Sequence, residues 1–191
     1  MIYLSSDDSY DILAARGMMC SDENDVYQFL NDKDYRVRTL AAQTIQTKYP
    51  TKKSFDIAKE MIESNQADKI ELGTYILGQL GTPNMPFWRE SFPLLENIVN
   101  TSNDKKAIAS ALYALSHLCS LAKCKIDEKL LSKIIEYTKD ENKDVAIAAL
   151  LTLSSQPGNK KVEDTIKHII FESDDANLRD WAETALEIIR D

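Results

Sequence analysis

Few residues in this chain could carry covalent or metal chemistry, and their spacing argues against it. The 191 residues include two histidines, His117 and His168, and three cysteines, Cys20, Cys119 and Cys124. His117-x-Cys119 with Cys124 following places three soft donors near one helix end. Structural zinc usually takes four ligands in paired short spacings, and a helical cysteine is more often a small buried apolar residue. No metal and no cofactor are therefore expected. No glycine-rich phosphate loop is present, because Gly73, Gly78 and Gly81 lie in or just after an apolar helical stretch, where they permit close packing. No histidine is marked out as the base of a serine nucleophile, and paired carboxylates carry no weight in a chain with 31 acidic side chains. The expectation is a protein that is not an enzyme.

The elements that would position any functional face repeat along the chain. Segments starting at Val37, Lys69, Ala107, Val145 and Leu178 carry Ala41, Gly73, Ala111, Ala149 and Ala182 four residues on. Eight residues on they carry Ile45, Leu77, Leu115, Leu153 and Leu186. Positions i, i+4 and i+8 share a helix face, so each segment reads as a helix with a small residue flanked by larger apolar ones. The starts lie 32, 38, 38 and 33 residues apart, a period that belongs to stacked helical repeats. Asp34, Gln66, Asp104, Asn142 and Asp175 stand three residues before each start, and Asp and Asn are strong helix N-caps. Partner helices with helical apolar spacing are predicted over 22–31, 51–64, 87–100, 127–138 and 160–172. Pro and Gly fall at the joints, at Tyr49-Pro50, Gly81-Thr-Pro83 and Gln156-Pro157-Gly158. A further helix near residues 8–18 would cap the first pair. At the other end Asp180, Glu183 and Glu187 give the last helix a polar outer face, as expected of a capping repeat.

The stretch Asp34-x-x-Val37-Arg38-x-x-Ala41-Ala42-x-x-Ile45 resembles the second helix of a HEAT repeat. Asp175 to Leu186 looks like the same motif, and Leu77-Gly78-Gln79-Leu80-Gly81 is similar to an ending common in short bacterial HEAT-like repeats. Ile70, Ile108 and Ala146 stand where that family has Arg, so its Asp–Arg ladder is not expected in the middle repeats. The resemblance covers roughly residues 22–190. It implies an all-α, right-handed α-solenoid of about five HEAT-like helix pairs plus the N-terminal capping helix, with residues 1–191 forming a single repeat domain. It also implies that the second helix of each pair lines the concave side.

Composition bounds the partners. The net charge of −8 opposes phosphate, because a nucleic-acid binder needs Lys and Arg to replace condensed counterions. HEAT-like DNA glycosylases share the architecture, but no basic stripe follows the predicted concave rows here. No direct contact with nucleic acid or with a membrane surface is expected. The first residues, Met1-Ile-Tyr-Leu-Ser-Ser-Asp-Asp, do not read as a signal peptide, and the cysteine spacing is no disulfide framework. Both point to a cytoplasmic protein.

A helical wheel with positions 0, +4, +7, +8 and +11 in the core sends +2, +6 and +9 outward. Those rows hold Glu71 and Asp180 at +2 and Tyr75, Tyr113 and Leu151 at +6. Tyrosine is a common interface anchor. Acids concentrate at the N-terminus, where they could steer a basic protein or simply cap helices. The expected partner-binding set is Asp7, Asp8, Asp11, Asp22, Glu23, Asp25, Tyr35, Glu71, Tyr75, Tyr113, Leu151 and Asp180. Small, acidic HEAT-like proteins of this kind resemble immunity proteins of bacterial toxin–immunity pairs, including those of contact-dependent growth inhibition. That resemblance implies a monomer when free, which occludes the cleft of a basic toxin nuclease domain. A general HEAT-like adaptor or assembly factor is the alternative, and a chaperone-like or lyase-like role on a cofactor-bearing protein is a third. At the level of the fold, Ala149→Leu is expected to overpack a helix interface and cost roughly 1–3 kcal/mol. An unaffected melting temperature would count against the alignment of the repeats.

Overall fold

The computed structural model describes residues 22–64 and 66–190. Every regular element among them is helical. The helices are α1 (Glu23–Phe29), α2 (Tyr35–Lys48), α3 (Lys52–Glu63), α4 (Ala67–Gln79), α5 (Trp88–Thr101), α6 (Lys105–Ala122), α7 (Glu128–Tyr137), α8 (Lys143–Ser154), α9 (Lys160–Glu172) and α10 (Ala176–Arg190). They pair in chain order as five hairpins, and the even-numbered helices also pack on one another, α2 on α4, α4 on α6, α6 on α8 and α8 on α10. This is an α-solenoid with an inner layer of five helices backed by an outer layer of five. The capping helix expected over residues 8–18 lies outside the described residues, as do Asp7, Asp8, Asp11 and Cys20.

The polar lead-ins do what their chemistry predicts. The carboxylates of Asp34, Asp104 and Asp175 and the amide oxygen of Asn142 accept from backbone N–H groups of the first turn that follows. Gln66 is the exception and caps nothing with its side chain. The two arginines of the repeat motif also behave alike. Arg38 Nη1 donates to the Asp32 carbonyl at 2.8 Å, and Arg179 Nη1 donates to the Ser173 carbonyl at 2.6 Å. Each ties the head of an inner helix to the turn before it. Where the middle repeats lack Arg, lysines bridge one repeat to its neighbour. Lys105 pairs with Asp140, Lys143 with Asp175 at 2.7 Å, and Lys106 with Asp68 and Glu71 at 3.1 and 2.8 Å.

Small residues set how closely the layers approach. A Cβ on Gly73 would lie 2.7 Å from the Ala58 carbonyl oxygen on α3, within the same hairpin. A Cβ on Gly78 would lie 2.8 Å from Ala114 Cα on α6, in the next repeat. Ala41, Ala111, Ala149 and Ala182 are all fully buried. Two buried polar side chains stitch the inner layer: Gln46 Nε2 donates to the Tyr75 carbonyl at 2.5 Å, and Thr152 Oγ1 donates to the Leu112 carbonyl at 2.8 Å.

The Gly81–Trp88 joint runs over the surface but turns Met85 into the core and packs Phe87 and Trp88 against it. Met85 is buried, Phe87 stacks on Phe55 with ring centroids 5.5 Å apart, and α5 begins at Trp88. Gly81 has φ 79° and a Cβ there would meet Pro86 at 2.4 Å, so glycine is required on both counts. Trp181, by contrast, is 36% exposed, because no described helix packs beyond α10 on that side.

Gly78→Ala is the sharpest probe of the inner layer. Alanine gains about 1 kcal/mol of helix propensity over glycine, but overpacking against rigid backbone costs about 1–3 kcal/mol. The expected result is a net loss of up to roughly 2 kcal/mol, measured as a lower urea midpoint. A raised midpoint would show that α4 and α6 are not in backbone contact there.

Candidate functional site

The inner helices leave one side of the stack open as a groove of about 740 Å³. Its floor and walls come from α2, α4, α6 and the head of α8. Of the rows the helical wheel selected, +6 faces it through Tyr75 and Tyr113, and +2 contributes Thr39 and Glu71. Among the +9 residues, Gln46, Gly78 and Ser154 are buried between neighbouring repeats. Ala109 and Ile147 at +2 are buried as well. Each inner helix is packed by its hairpin partner and by inner helices on either side, so little of its surface stays open. The open arc is centred near +6 and runs from +2 through −1 to +10, rotated by roughly 40° from the direction opposite the core. On α4 it carries Asp68, Tyr75 and Gln79, and on α6 it carries Lys106, Tyr113 and His117.

Of the expected binding residues, the groove gathers Tyr35, Glu71, Tyr75 and Tyr113. Tyr35 is exposed at its α2 edge, and both inner tyrosines are half-buried. Leu151 on α8 is half-buried and Asp180 on α10 is exposed, but neither lines the groove. The N-terminal acids are placed otherwise. Asp22 caps α1 by accepting from the Asn24 and Asp25 amides. Glu23 accepts from the Tyr27 hydroxyl and from Thr51 Oγ1, which pins α1 against the start of α3 and holds its carboxyl below the ordinary range. Asp25 is exposed.

Arg38, Lys105, Lys106, Gln79, His117 and Asp144 also line it and were not expected from the wheel. The signal that could have found them is the i, i+4 partnership of Tyr75 with Gln79 and of Tyr113 with His117. Lys106 crosses from α6 to α4, and its hydrogen bonds to Glu71 and then Asp68 raise its pKa. Burial, with a contribution from the Asp144 charge, raises that of Tyr113. The His117 imidazole is held below the ordinary histidine value by desolvation alone, although its edge still meets solvent.

Chemically the groove offers phenols, an amide, an imidazole and three carboxylates, Asp68, Glu71 and Asp144, set among three cations, Arg38, Lys105 and Lys106. Among the described residues, no hydrogen bond joins His117 to a serine or cysteine, and no three His, Cys, Asp or Glu side chains cluster as metal ligands. None of the described helices is long and apolar enough to cross a membrane. A shallower depression of about 550 Å³ lies on the outer layer, where Lys139, Lys160, Lys161 and His168 gather beside Asp164. Lys161 is already bound there to Glu128 and Ser132.

No protein-family model matches the chain, and no curated protein matches it in sequence. Solved structures do match in shape. The X-ray structure of YibA from Escherichia coli aligns with a TM-score of 0.72 at 17% identity, over 100% of this chain and 66% of that one. The chain thus spans less than two thirds of YibA. A designed armadillo repeat protein in complex with the peptide (KR)4 aligns with a TM-score of 0.60 at 12% identity, over 97% of this chain and 87% of that one. An engineered protein aligns with a TM-score of 0.57 at 13% identity, over 96% and 90% of the two chains. These likenesses establish the fold as an α-solenoid of the HEAT and armadillo type.

His117 generates a pH prediction. Its folded pKa is depressed, so the unfolded chain takes up the proton at higher pH and stability falls as pH drops through about 6.5. Between pH 7.5 and 5.5 the wild type should lose more of its urea midpoint than His117→Gln. An NMR titration midpoint for His117 at or above the free imidazole value would refute the assignment.

Proposed function

We propose that the chain is a protein-binding module that holds a basic partner against its inner-helix groove. The observation that carries this reading is the pair of half-buried tyrosines, Tyr75 and Tyr113, at equivalent positions of adjacent repeats in a groove whose carboxylates, Asp68, Glu71 and Asp144, a partner's cations could take over from Lys106 and its neighbours Arg38 and Lys105. Aromatic faces attract Lys and Arg side chains, and carboxylates at the rim complement them. The net charge of −8 adds long-range steering of a cationic protein. The finer reading is that of an immunity protein. The partner is then a basic toxin nuclease domain, and the chain neutralises it by covering the cleft where substrate phosphates would bind. Residues 1–191 act as one repeat domain in this reading, and the N-terminal acids, including Asp7, Asp8, Asp11 and Asp25, add negative charge that would draw the toxin in.

The adaptor reading has one observation in its favour. A solenoid of similar shape, the designed armadillo protein, is described as a complex with a short basic peptide, (KR)4. A groove that takes such a segment does not need a folded toxin.

Titration with an alternating Lys-Arg octapeptide tests the shared claim. Binding should appear at low salt, weaken steeply as salt rises, and fall at least tenfold in the Tyr75→Ala, Tyr113→Ala double variant with its helical circular dichroism intact. If the double variant binds as the wild type does, the groove is not the site. Co-production with the product of the neighbouring gene separates the finer readings. Rescue of growth from a toxic neighbour supports immunity, and a non-toxic neighbour that binds supports an adaptor.

A further inference from the structure

Cys119 and Cys124 are both free thiols, yet their sulfurs stand 2.8 Å apart. Disulfide bonding brings two sulfurs to about 2.05 Å, so closure needs a movement of only about 0.8 Å. The two positions differ in access. Cys119 lies in the last full turn of α6 and is fully buried, whereas Cys124 lies beyond the helix end and is half-buried. Between them Lys123 turns the chain in the left-handed region at φ 53°. That turn brings the chain back over the end of α6 and sets one thiol on the other. Gln156 then fixes the outgoing strand of the loop: its Nε2 donates to the Cys124 carbonyl at 3.2 Å, and its Oε1 accepts from the Ile126 amide at 2.9 Å. Packing of the next repeat therefore holds the pair together.

We propose that Cys119 and Cys124 form a dithiol–disulfide site that reacts with small disulfides, with Cys124 as the attacking thiol and Cys119 as the resolving one. The roles follow from access, because a small disulfide can reach Cys124 and cannot reach Cys119. Exposed Lys123 and Lys125 flank Cys124, and nearby cations favour a thiolate. The hydrogen bond with Cys119 likewise holds the Cys124 thiol below its ordinary pKa, while that same bond and burial push the Cys119 thiol up.

The Cys124 thiolate attacks one sulfur of the small disulfide, forming a mixed disulfide and releasing one equivalent of small thiolate, which takes up the proton that Cys124 lost. Cys119 then gives up its proton and attacks Cys124 Sγ. The Cys119–Cys124 bond forms, the mixed disulfide breaks, and the second small thiol leaves. The protein pair is oxidised by two electrons, and the small disulfide is reduced to two thiols.

The experiment uses the full chain with Cys20→Ser, so that only the two thiols in question remain. Oxidised glutathione is added and the intact mass is followed with peptide mapping. The expected product is an internal Cys119–Cys124 link two hydrogens lighter than the starting protein, without a lasting glutathione adduct, and reversible by dithiothreitol. In Cys119→Ala the adduct should accumulate on Cys124, and in Cys124→Ala the buried Cys119 should stay unmodified while the protein is folded. A stable adduct on Cys124 of the two-thiol protein, or no reaction at either sulfur, overturns the proposal. Because the two-thiol protein alone decides the matter, a variant that fails to fold does not blunt the test.

Discussion

Backbone approach between neighbouring inner helices is the constraint on which the rest of this molecule depends. Each hairpin can bury only one stripe of apolar surface by itself, so the inner helices must be covered on several sides at once. That geometry works only where side chains at the crossing points are small. Gly78 against Ala114 and Gly73 against Ala58 are the tightest instances, with room for no methyl group at either. The fully buried alanines at equivalent positions extend the same condition along the stack. Long apolar residues then fill the spaces between crossings, among them Ile45, Leu77, Leu115 and Leu153.

That packing also determines where a partner could touch. An inner helix enclosed by a hairpin partner and by two lateral neighbours has only a narrow arc left for solvent. In this chain the arc holds the −1, +6 and +10 positions, and it places Tyr75 and Gln79 on one ridge and Tyr113 and His117 on the next. The lateral neighbours cover Gln46, Gly78 and Ser154 at +9 and Ala109 and Ile147 at +2, but leave Glu71 at +2 exposed in the groove. Residues with the hydrogen-bonding groups most useful to a partner therefore sit in the groove because the core left them no other place.

The fold was largely legible in the sequence, and the site only partly so. Five helix pairs, their capping residues and their joints could be read because small and large apolar residues recur at a helical spacing, and because Asp34, Asp104, Asn142 and Asp175 have the chemistry of N-caps. The groove's direction could not. A wheel drawn for a helix buried on one side assigns +9 to solvent, and only lateral stacking reverses that assignment. Trp181 shows the same limit from the other end, since a position that would be enclosed by another repeat stays open when none follows among the described helices. Nor did spacing alone bring Cys119 onto Cys124. The left-handed turn at Lys123 does so, and lysine carries no marked preference for that conformation.

Net charge also means something different once each acid has a position. Asp22, Asp34, Asp104 and Asp175 spend lone pairs on helix N-termini, and Glu23 is engaged by Tyr27 and Thr51. Asp140 and Asp175 receive Lys105 and Lys143, and Asp68 and Glu71 share Lys106. Exposed pairs of this sort contribute about 0–1 kcal/mol each, so their main effect is to align one repeat with the next. Both carboxylates at the groove's α4 edge thus lean on a lysine that a cationic partner could displace. Such an exchange replaces one ion pair with another and adds contact with the two tyrosines, and it is the tyrosines that would supply a net gain. In the proposed reading, charge would bring a basic partner toward the protein, and aromatic burial would decide whether it stays.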